Sequence, residues 1–182
     1  MTAITVSEIL TYPIKSTTGS SVASAELGPK GLSLDRHWAL FGADGELLTA
    51  REHPDLLRLT TEVTANGLKL FVEGQFEIEV PMDHAGSQTS VDVWGVGGTG
   101  VTSTDHVNEW FSRYLGLDCQ LIFMSDDSTR LVAPEIAGQS GDVVSYADEC
   151  PVMLLSRGTL EELNAKLDTP VDIRQFLSLI HI

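Results

Sequence analysis

Residues 37–50 read HWALFGADGELLTA and contain two strand-forming runs joined by a turn signal. The runs are residues 37–41 and 46–50, and Asp44-Gly45 lies between them. An Asp-Gly pair between apolar runs indicates a β-hairpin, because glycine adopts the positive φ that tight hairpin turns require. Residues 60–65 and 68–72 repeat the pattern around Asn66-Gly67. Two hairpins so close in sequence favour an antiparallel, β-rich fold.

Shorter apolar runs predict further strands at residues 4–10, 22–27, 91–94, 119–124 and 152–155. Many short strands with frequent turn residues are typical of a sandwich or barrel. Helical spacing of apolar residues predicts one helix over 107–115 and a second after Ser156, ending before Pro170. Residues 125–141 are predicted to be a long loop, and residues 176–182 a strand-like end without a following partner. The predicted fold is β-rich α+β: a β-barrel of short antiparallel strands with two amphipathic helices.

The chain is strongly acidic, with 26 acidic and 11 basic residues and a formal net charge of −15 over 182 residues. This balance argues against binding to nucleic acids and to anionic membrane surfaces. No apolar run reaches the length of a bilayer span, and residues 1–6 do not resemble a secretory signal. Two cysteines without a C-x-x-C motif suit a reducing compartment, so the predicted location is cytoplasmic.

Three cationic or hydroxyl side chains stand out against this acidic background. Lys15 and Ser16 follow a strand that Pro13 closes, and Arg36 comes twenty residues later. An ammonium, a hydroxyl and a guanidinium together form the donor set that a phosphate-bearing ligand needs. The alternatives are a solvated lysine in a turn and an ion pair between Arg36 and Asp35 or another carboxylate. Arg51 is predicted to support the site indirectly or to form a structural salt bridge.

Other motifs have simpler explanations. Gly95–Gly100 matches G-x-G-x-x-G, which indicates either a dinucleotide site or a flexible glycine connection. Cys150 follows two carboxylates, which disfavour a thiolate, so an inert, buried or half-buried thiol is expected. Cys119 is expected in the core. Histidines 37, 53, 84, 106 and 181 lack metal-ligand spacing, so no protein-ligated metal site is predicted.

Several segments, taken in order, resemble one known family. They are YPIKS at 12–16, GLSLDRHW at 31–38, LLTAREHP at 47–54, and further matches at 110–116, 146–148 and 154–164. This ordered set resembles the N-terminal β-barrel domain of the MOSC (molybdenum cofactor sulfurase C-terminal) family. The likeness is to its amidoxime-reducing branch, mitochondrial and bacterial, and it covers most of the chain.

The resemblance implies a β-barrel domain over residues 1–124 and the beginning of a MOSC domain over 125–182. It implies a molybdopterin-type molybdenum cofactor, with Lys15, Ser16 and Arg36 on the phosphate side of the pterin. Asp148, Glu149 and Cys150 would line the cofactor pocket. The implied chemistry is reduction of N-hydroxylated substrates with electrons from a reductase or an iron–sulfur domain. The family has also been linked to pyridoxal phosphate binding.

Two departures from the family pattern set further expectations. The family has an Arg-Pro-Asn segment after its second helix, where this chain has residues 176–179, FLSL. The family's molybdenum-binding cysteine lies beyond the position of Ile182, so the chain is expected to be the N-terminal part of such an oxidoreductase and inactive as this fragment. The alternatives are a non-catalytic β-barrel module for a phosphate-bearing ligand and a nucleotide-binding domain that uses Gly95–Gly100.

Overall fold

A computed structural model describes residues 4–82, 86–177 and 179–182. His84, one of the five histidines considered above, lies outside the described residues. The described part contains strands, two α-helices and two short 3₁₀ helices, at Pro54–Arg58 and Ile173–Phe176. The strands are β1 (Glu8–Thr11), β2 (Ser20–Val22), β3 (Leu27–Gly28), β4 (Gly31–Leu32), β5 (Trp38–Gly42), β6 (Leu59–Thr64), β7 (Gly67–Val72), β8 (Gln75–Pro81), β9 (Gln88–Val93), β10 (Val96–Thr102), β11 (Cys119–Phe123), β12 (Leu154–Leu155) and β13 (Ile180–His181).

The two predicted hairpin turns are present. β6 and β7 pair antiparallel across Asn66-Gly67. The turn at Asp44-Gly45 returns the chain against β5, where Leu48 donates its backbone N–H to the carbonyl of Leu40. The returning segment makes only an isolated bridge instead of the full strand predicted over 46–50.

The strands form four mainly antiparallel groups, in the orders β12-β13-β1-β2, β5-β11-β10-β9, β6-β7-β8 and β3-β4. Parallel bridges from Ile14 to Trp38 and from Thr18 to Thr60 connect these groups into a curled, half-barrel arrangement. The main core fills its concave side with buried apolar side chains that include Trp38, Leu59 and Phe111. The β-rich class predicted from the hairpins is confirmed.

Both helices begin at side-chain caps, and the second begins after Ser156 as predicted. The first, α1 (Asp105–Leu115), starts where the Thr104 hydroxyl accepts the backbone N–H of Val107, and Gly116 ends it in the left-handed conformation. Val107 and Phe111 bury their side chains, each contributing about 2 kcal/mol. The second, α2 (Arg157–Asn164), is capped by Ser156.

The glycine-rich stretch is neither a phosphate loop nor a flexible connection, so both interpretations of it were wrong. Gly97, Gly98 and Gly100 lie inside β10, which pairs residue by residue with β9. Their backbone groups belong to a sheet, and Trp94-Gly95 forms the tight turn between the two strands. The nucleotide-binding alternative loses the strand-to-helix loop on which it depends.

The strand β13 pairs with a neighbouring strand on each side, so the expectation of an unpartnered end was wrong. β13 lies between β12, with which it is parallel, and β1, with which it is antiparallel. His181 is fully buried there, and its Nδ1 lies 3.2 Å from Oε2 of Glu8. Residues from the two predicted segments, 1–124 and 125–182, thus share one sheet. The domain division itself stays a prediction.

Candidate functional site

One cavity of about 640 Å³ brings together the residues that the sequence singled out. Its lining includes all six of the predicted site residues: Lys15, Ser16, Arg36, Asp148, Glu149 and Cys150. They come from three segments that are far apart in sequence. The backbone of Arg36 links these segments, donating its N–H to the carbonyl of Tyr12 and accepting from the N–H of Tyr146.

Lys15 is buried beside the cavity, so the solvated-lysine interpretation was wrong. The chain leaves β1 through Pro13, and Ile14 bridges to Trp38, which fixes the next residue at the cavity wall. Lys15 is only 7% exposed, and its Nζ donates to the carbonyl of Tyr146 at 2.8 Å and to Oδ1 of Asp148 at 2.5 Å. Burial lowers the pKa of Lys15, whereas Asp148 acts to raise it.

Arg36 lines the cavity and also pairs with Asp35, as the ion-pair interpretation expected, and its role toward a phosphate stays a prediction. Arg36 lies in a turn with φ +49°, two residues before β5 begins. Its Nη1 lies 2.6 Å from Oδ2 of Asp35, close enough for an ion pair although the atoms are not aligned for a hydrogen bond. The guanidinium also lies over the ring of Tyr12, 5.7 Å from its centroid.

Asp35 is the buried residue that connects Arg36 to the backbone of Tyr12. It is 1% exposed, and its Oδ1 accepts the backbone N–H of Tyr12 at 2.8 Å. Burial raises the pKa of Asp35 to about 6, against the opposing effect of Arg36. Arg36, which lines the cavity, therefore has Asp35 as a buried counter-ion, and burial disfavours the ionised form of Asp35.

Arg130 is the main structural residue that the sequence analysis missed. It is 2% exposed and donates four hydrogen bonds to main-chain carbonyls, those of Ser145, Ala147, Asp148 and Val93. These bonds fix the backbone of residues 145–148, on which Asp148 enters the cavity. The available signal was a single arginine in the otherwise acidic and polar segment 125–141.

Trp94 closes one side of the cavity and was also missed. It is 51% exposed, its Nε1–H donates to Oδ1 of Asp148 at 2.7 Å, and Arg51 lies over its ring at 5.2 Å. Burial acts to raise the pKa of Asp148, but Lys15 and Trp94 outweigh it, and that pKa is lowered. Strand alternation offered a signal, because Val91 and Val93 point inward and place Trp94 outward.

The structure corrects two expectations about individual side chains. Within the described part of the chain, Arg51 makes no ion pair and instead stacks on Trp94, so the predicted structural salt bridge was wrong. Cys150 is exposed at the cavity rather than buried or half-buried. Cys119 is buried in the core as predicted, and burial raises its pKa.

Backbone strain concentrates at this cavity. Among the described residues, six that are not glycine have positive φ, and four of them line the cavity: Ser16, Arg36, Trp94 and Leu177. Such conformations cost roughly 1–3 kcal/mol each and persist where the surroundings enforce them, often at functional sites. The strain is evidence for function that is independent of the charge argument.

The lining of the cavity also includes apolar side chains. Leu57, Met153, Leu154 and Leu177 are each partly exposed there, and Phe176 joins them. Phe176 and Leu177 occupy the stretch where the family resemblance implied Arg-Pro-Asn. The cationic groups of the cavity are therefore Lys15, Arg36 and Arg51.

The described residues lack two kinds of feature, a metal-binding group of side chains and a membrane-spanning helix. They contain no group of three or more His, Cys, Asp or Glu side chains that could hold a metal ion. None of the helices within 4–82, 86–177 and 179–182 is long and apolar enough to traverse a bilayer. The cytoplasmic location stays a prediction.

The fold is a strand-rich half-barrel, and its cavity is lined by cationic, carboxylate and apolar side chains. The family model for the MOSC N-terminal beta barrel domain matches residues 3–118, and the chain belongs to that family. The resemblance noted from the sequence is thereby confirmed.

Similar proteins extend the match over nearly the whole chain. Mitochondrial amidoxime-reducing component 1 of Xenopus laevis is 30% identical over 94% of this chain and 53% of its own length. Mitochondrial amidoxime reducing component 2 of Rattus norvegicus is 31% identical over 94% and 54%. Molybdenum cofactor sulfurase of Oryza sativa subsp. japonica is 29% identical over 95% and 23%. The chain thus spans about half the length of the amidoxime-reducing components it matches.

Among solved structures, the solution structure of a Bordetella bronchiseptica protein matches over 58% of this chain and 92% of its own chain. The TM-score is 0.44 and the sequence identity 17%. This likeness is too distant to carry the fold or the function.

Proposed function

We propose that this chain forms the part of a molybdenum-cofactor oxidoreductase that holds the phosphate-bearing end of the cofactor. The observation that carries the proposal is the convergence of Lys15, Ser16 and Arg36 on one cavity in a molecule of net charge −15. The surrounding negative charge repels anions elsewhere, so a local cationic recess makes such a ligand's binding specific.

The donor set fits a molybdopterin-type cofactor. An ammonium and a guanidinium supply charge-assisted hydrogen bonds to phosphate oxygens, and the Ser16 hydroxyl adds a neutral donor. Asp148 and Glu149 provide carboxylate acceptors for N–H groups of a ring system. Cys150 lines the same wall, and we assign it no role as a molybdenum ligand. The chemistry that such a cofactor supplies when bound is a redox change at molybdenum.

The names of the relatives extend the proposal to a substrate class. Two of them are amidoxime-reducing components, and a third is a molybdenum cofactor sulfurase. Reduction of an N-hydroxylated substrate requires electrons, so we propose a reductase or an iron–sulfur domain as the electron-donating partner. Since the chain spans about half of those relatives, we propose that this fragment alone does not catalyse the reaction.

The proposal is tested by measuring what natively purified protein retains. Molybdenum is measured by elemental analysis and pterin by mass spectrometry, in the parent chain, Arg36→Ala and Arg51→Ala. We expect Arg36→Ala to lose most of the retained pterin, because the Arg36 guanidinium faces the predicted phosphate position. Arg51→Ala keeps more of it, because Arg51 stacks on Trp94 at the cavity edge. Equal retention in all three proteins would refute the assignment of the site.

A second candidate is recognition of a phosphate-bearing ligand without redox chemistry. It is favoured by the donor set itself, since Lys15, Ser16 and Arg36 suit a phosphate rather than a metal ion. The same purification separates the two proposals. A phosphate-bearing molecule recovered without molybdenum or pterin would support the binding module.

A further inference from the structure

A single carboxylate oxygen connects the buried ammonium to the exposed indole. Oδ1 of Asp148 accepts both from Nζ of Lys15 and from Nε1 of Trp94. An ammonium has three N–H donors, and Lys15 uses two of them on Tyr146 and Asp148. The charge of Lys15 is therefore already compensated from within the cavity wall.

We propose that Asp148 is an internal counter-ion that an incoming phosphate group displaces from Lys15, and that this displacement releases the indole of Trp94. The inference rests on the proposed anion site but needs no molybdenum chemistry. A phosphate group and the Asp148 carboxylate are both negatively charged, and both offer oxygen acceptors to the Lys15 ammonium. The two therefore compete for it.

The side chain of Asp148 is the partner that can move. Its side chain is 43% exposed, so water can solvate the carboxylate after it leaves Lys15. Lys15 is buried and tied to Tyr146, so it remains in place. Arg130 holds the backbone carbonyls of Ala147 and Asp148, which confines the change to a side-chain rotation.

Trp94 is placed to respond to that rotation. It occupies the first position of the β9–β10 turn with φ +58°, a conformation that suits glycine or asparagine better than tryptophan. The hydrogen bond to Asp148 and the stacking of Arg51 are the contacts described for its indole. Loss of the hydrogen bond to Asp148 leaves the half-exposed indole with the stacking contact of Arg51.

The competition is tested with inorganic pyrophosphate as the probe, titrated into the whole chain by calorimetry. We expect Asp148→Asn to bind pyrophosphate roughly tenfold more tightly than the parent, because the competing charge is gone. Glu149→Gln is the matched control: it removes one charge from the same cavity wall, and within the described residues Glu149 makes no ion pair. We expect it to tighten binding by less than about threefold.

All titrations are run at one pH on the acidic side of neutrality, because burial lowers the pKa of Lys15 and Asp148→Asn removes the carboxylate that acts to raise it. If Asp148→Asn binds no tighter than Glu149→Gln, or if none of the proteins binds pyrophosphate, the counter-ion role is refuted. The pterin measurements above are independent of this result, so failure of either proposal can be recognised separately.

Tryptophan emission tests the coupled movement. We expect pyrophosphate to change the emission of the parent, and Trp94→Phe to abolish most of that change while still binding the probe. In Asp148→Ala, which has no side-chain acceptor for the indole N–H, the emission should start near its ligand-bound value and change little. Trp38 and Trp110 provide a constant background in every protein. A full emission change in Trp94→Phe would refute the release of Trp94.

Discussion

The 640 Å³ cavity around Lys15 and the groove of about 800 Å³ beside α1 differ in what lines them. The groove runs along α1 and β9, and its charged residues are Asp105, Glu109, Asp118 and Arg113. Among the described residues, none of the six non-glycine positions with positive φ lines the groove, whereas four line the cavity.

The comparison shows that the larger recess is not the one with the buried charges and the strained backbone. Buried charges and strained backbone both carry a cost that ordinary packing avoids. Lys15, Asp35 and Arg130 are buried around the smaller recess, whereas Arg113, Asp105 and Glu109 in the larger one are exposed. The smaller recess is therefore the one whose geometry requires an explanation by function.

The strongest test of this contrast replaces one arginine at each recess. We expect Arg130→Met to lower the free energy of unfolding by about 3–5 kcal/mol, because buried carbonyls lose their donors. Arg113→Met, on the groove, should change it by less than about 0.5 kcal/mol. Urea unfolding measures both, and similar losses in the two variants would remove the distinction between the recesses.

A smaller effect is expected from the wall behind the cavity. A Cβ at Gly100 would lie 2.2 Å from Oη of Tyr146 and 2.4 Å from Cγ2 of Ile122, whereas a Cβ at Gly97 meets nothing within 4 Å. We therefore expect Gly100→Ala to cost about 2 kcal/mol of unfolding free energy and Gly97→Ala much less. Thermal or urea unfolding of the pair measures this, and equal stability would mean that β10 does not pack tightly against Tyr146.

The smallest effect concerns pH. Burial raises the pKa of Asp35 from 3.8 to about 6, so the folded protein binds its proton more tightly than the unfolded chain does. The stability that this proton contributes is complete below about pH 4 and is lost as the pH rises through about 6. Asp35→Asn should flatten the dependence of the unfolding free energy on pH over that window, which urea unfolding at a series of pH values measures. An unchanged slope in Asp35→Asn would show that Asp35 is ionised throughout.

Local signals were sufficient for much of the fold. Asn66-Gly67 sets a hairpin through turn geometry alone, and Thr104 with Gly116 sets both ends of α1. Each of these signals acts over a few residues. The segment Gly95–Gly100 misled for the same reason, because its short motif fits both a phosphate loop and a strand packed closely against Tyr146.

The candidate site depended on contacts between distant segments. Lys15 and Arg36 could be chosen from residue chemistry, and the family resemblance supplied Asp148, Glu149 and Cys150. The roles of Arg130 and Trp94 depend on the packing of β9 and residues 145–148 around them. Nothing in the sequence near Arg130 shows that four carbonyls converge on it.

The position of β13 affects how the protein reaches its folded state. Glu8 and His181 pair across 173 residues, so the sheet containing β1 closes only after residue 181 has been synthesised. Until then one side of β1 is an open edge, which can pair with another copy and start aggregation. Shortening the chain before residue 179 would make that exposure permanent, so we expect expression yield to depend on a two-residue strand that pairs with Leu154, a residue of the cavity lining.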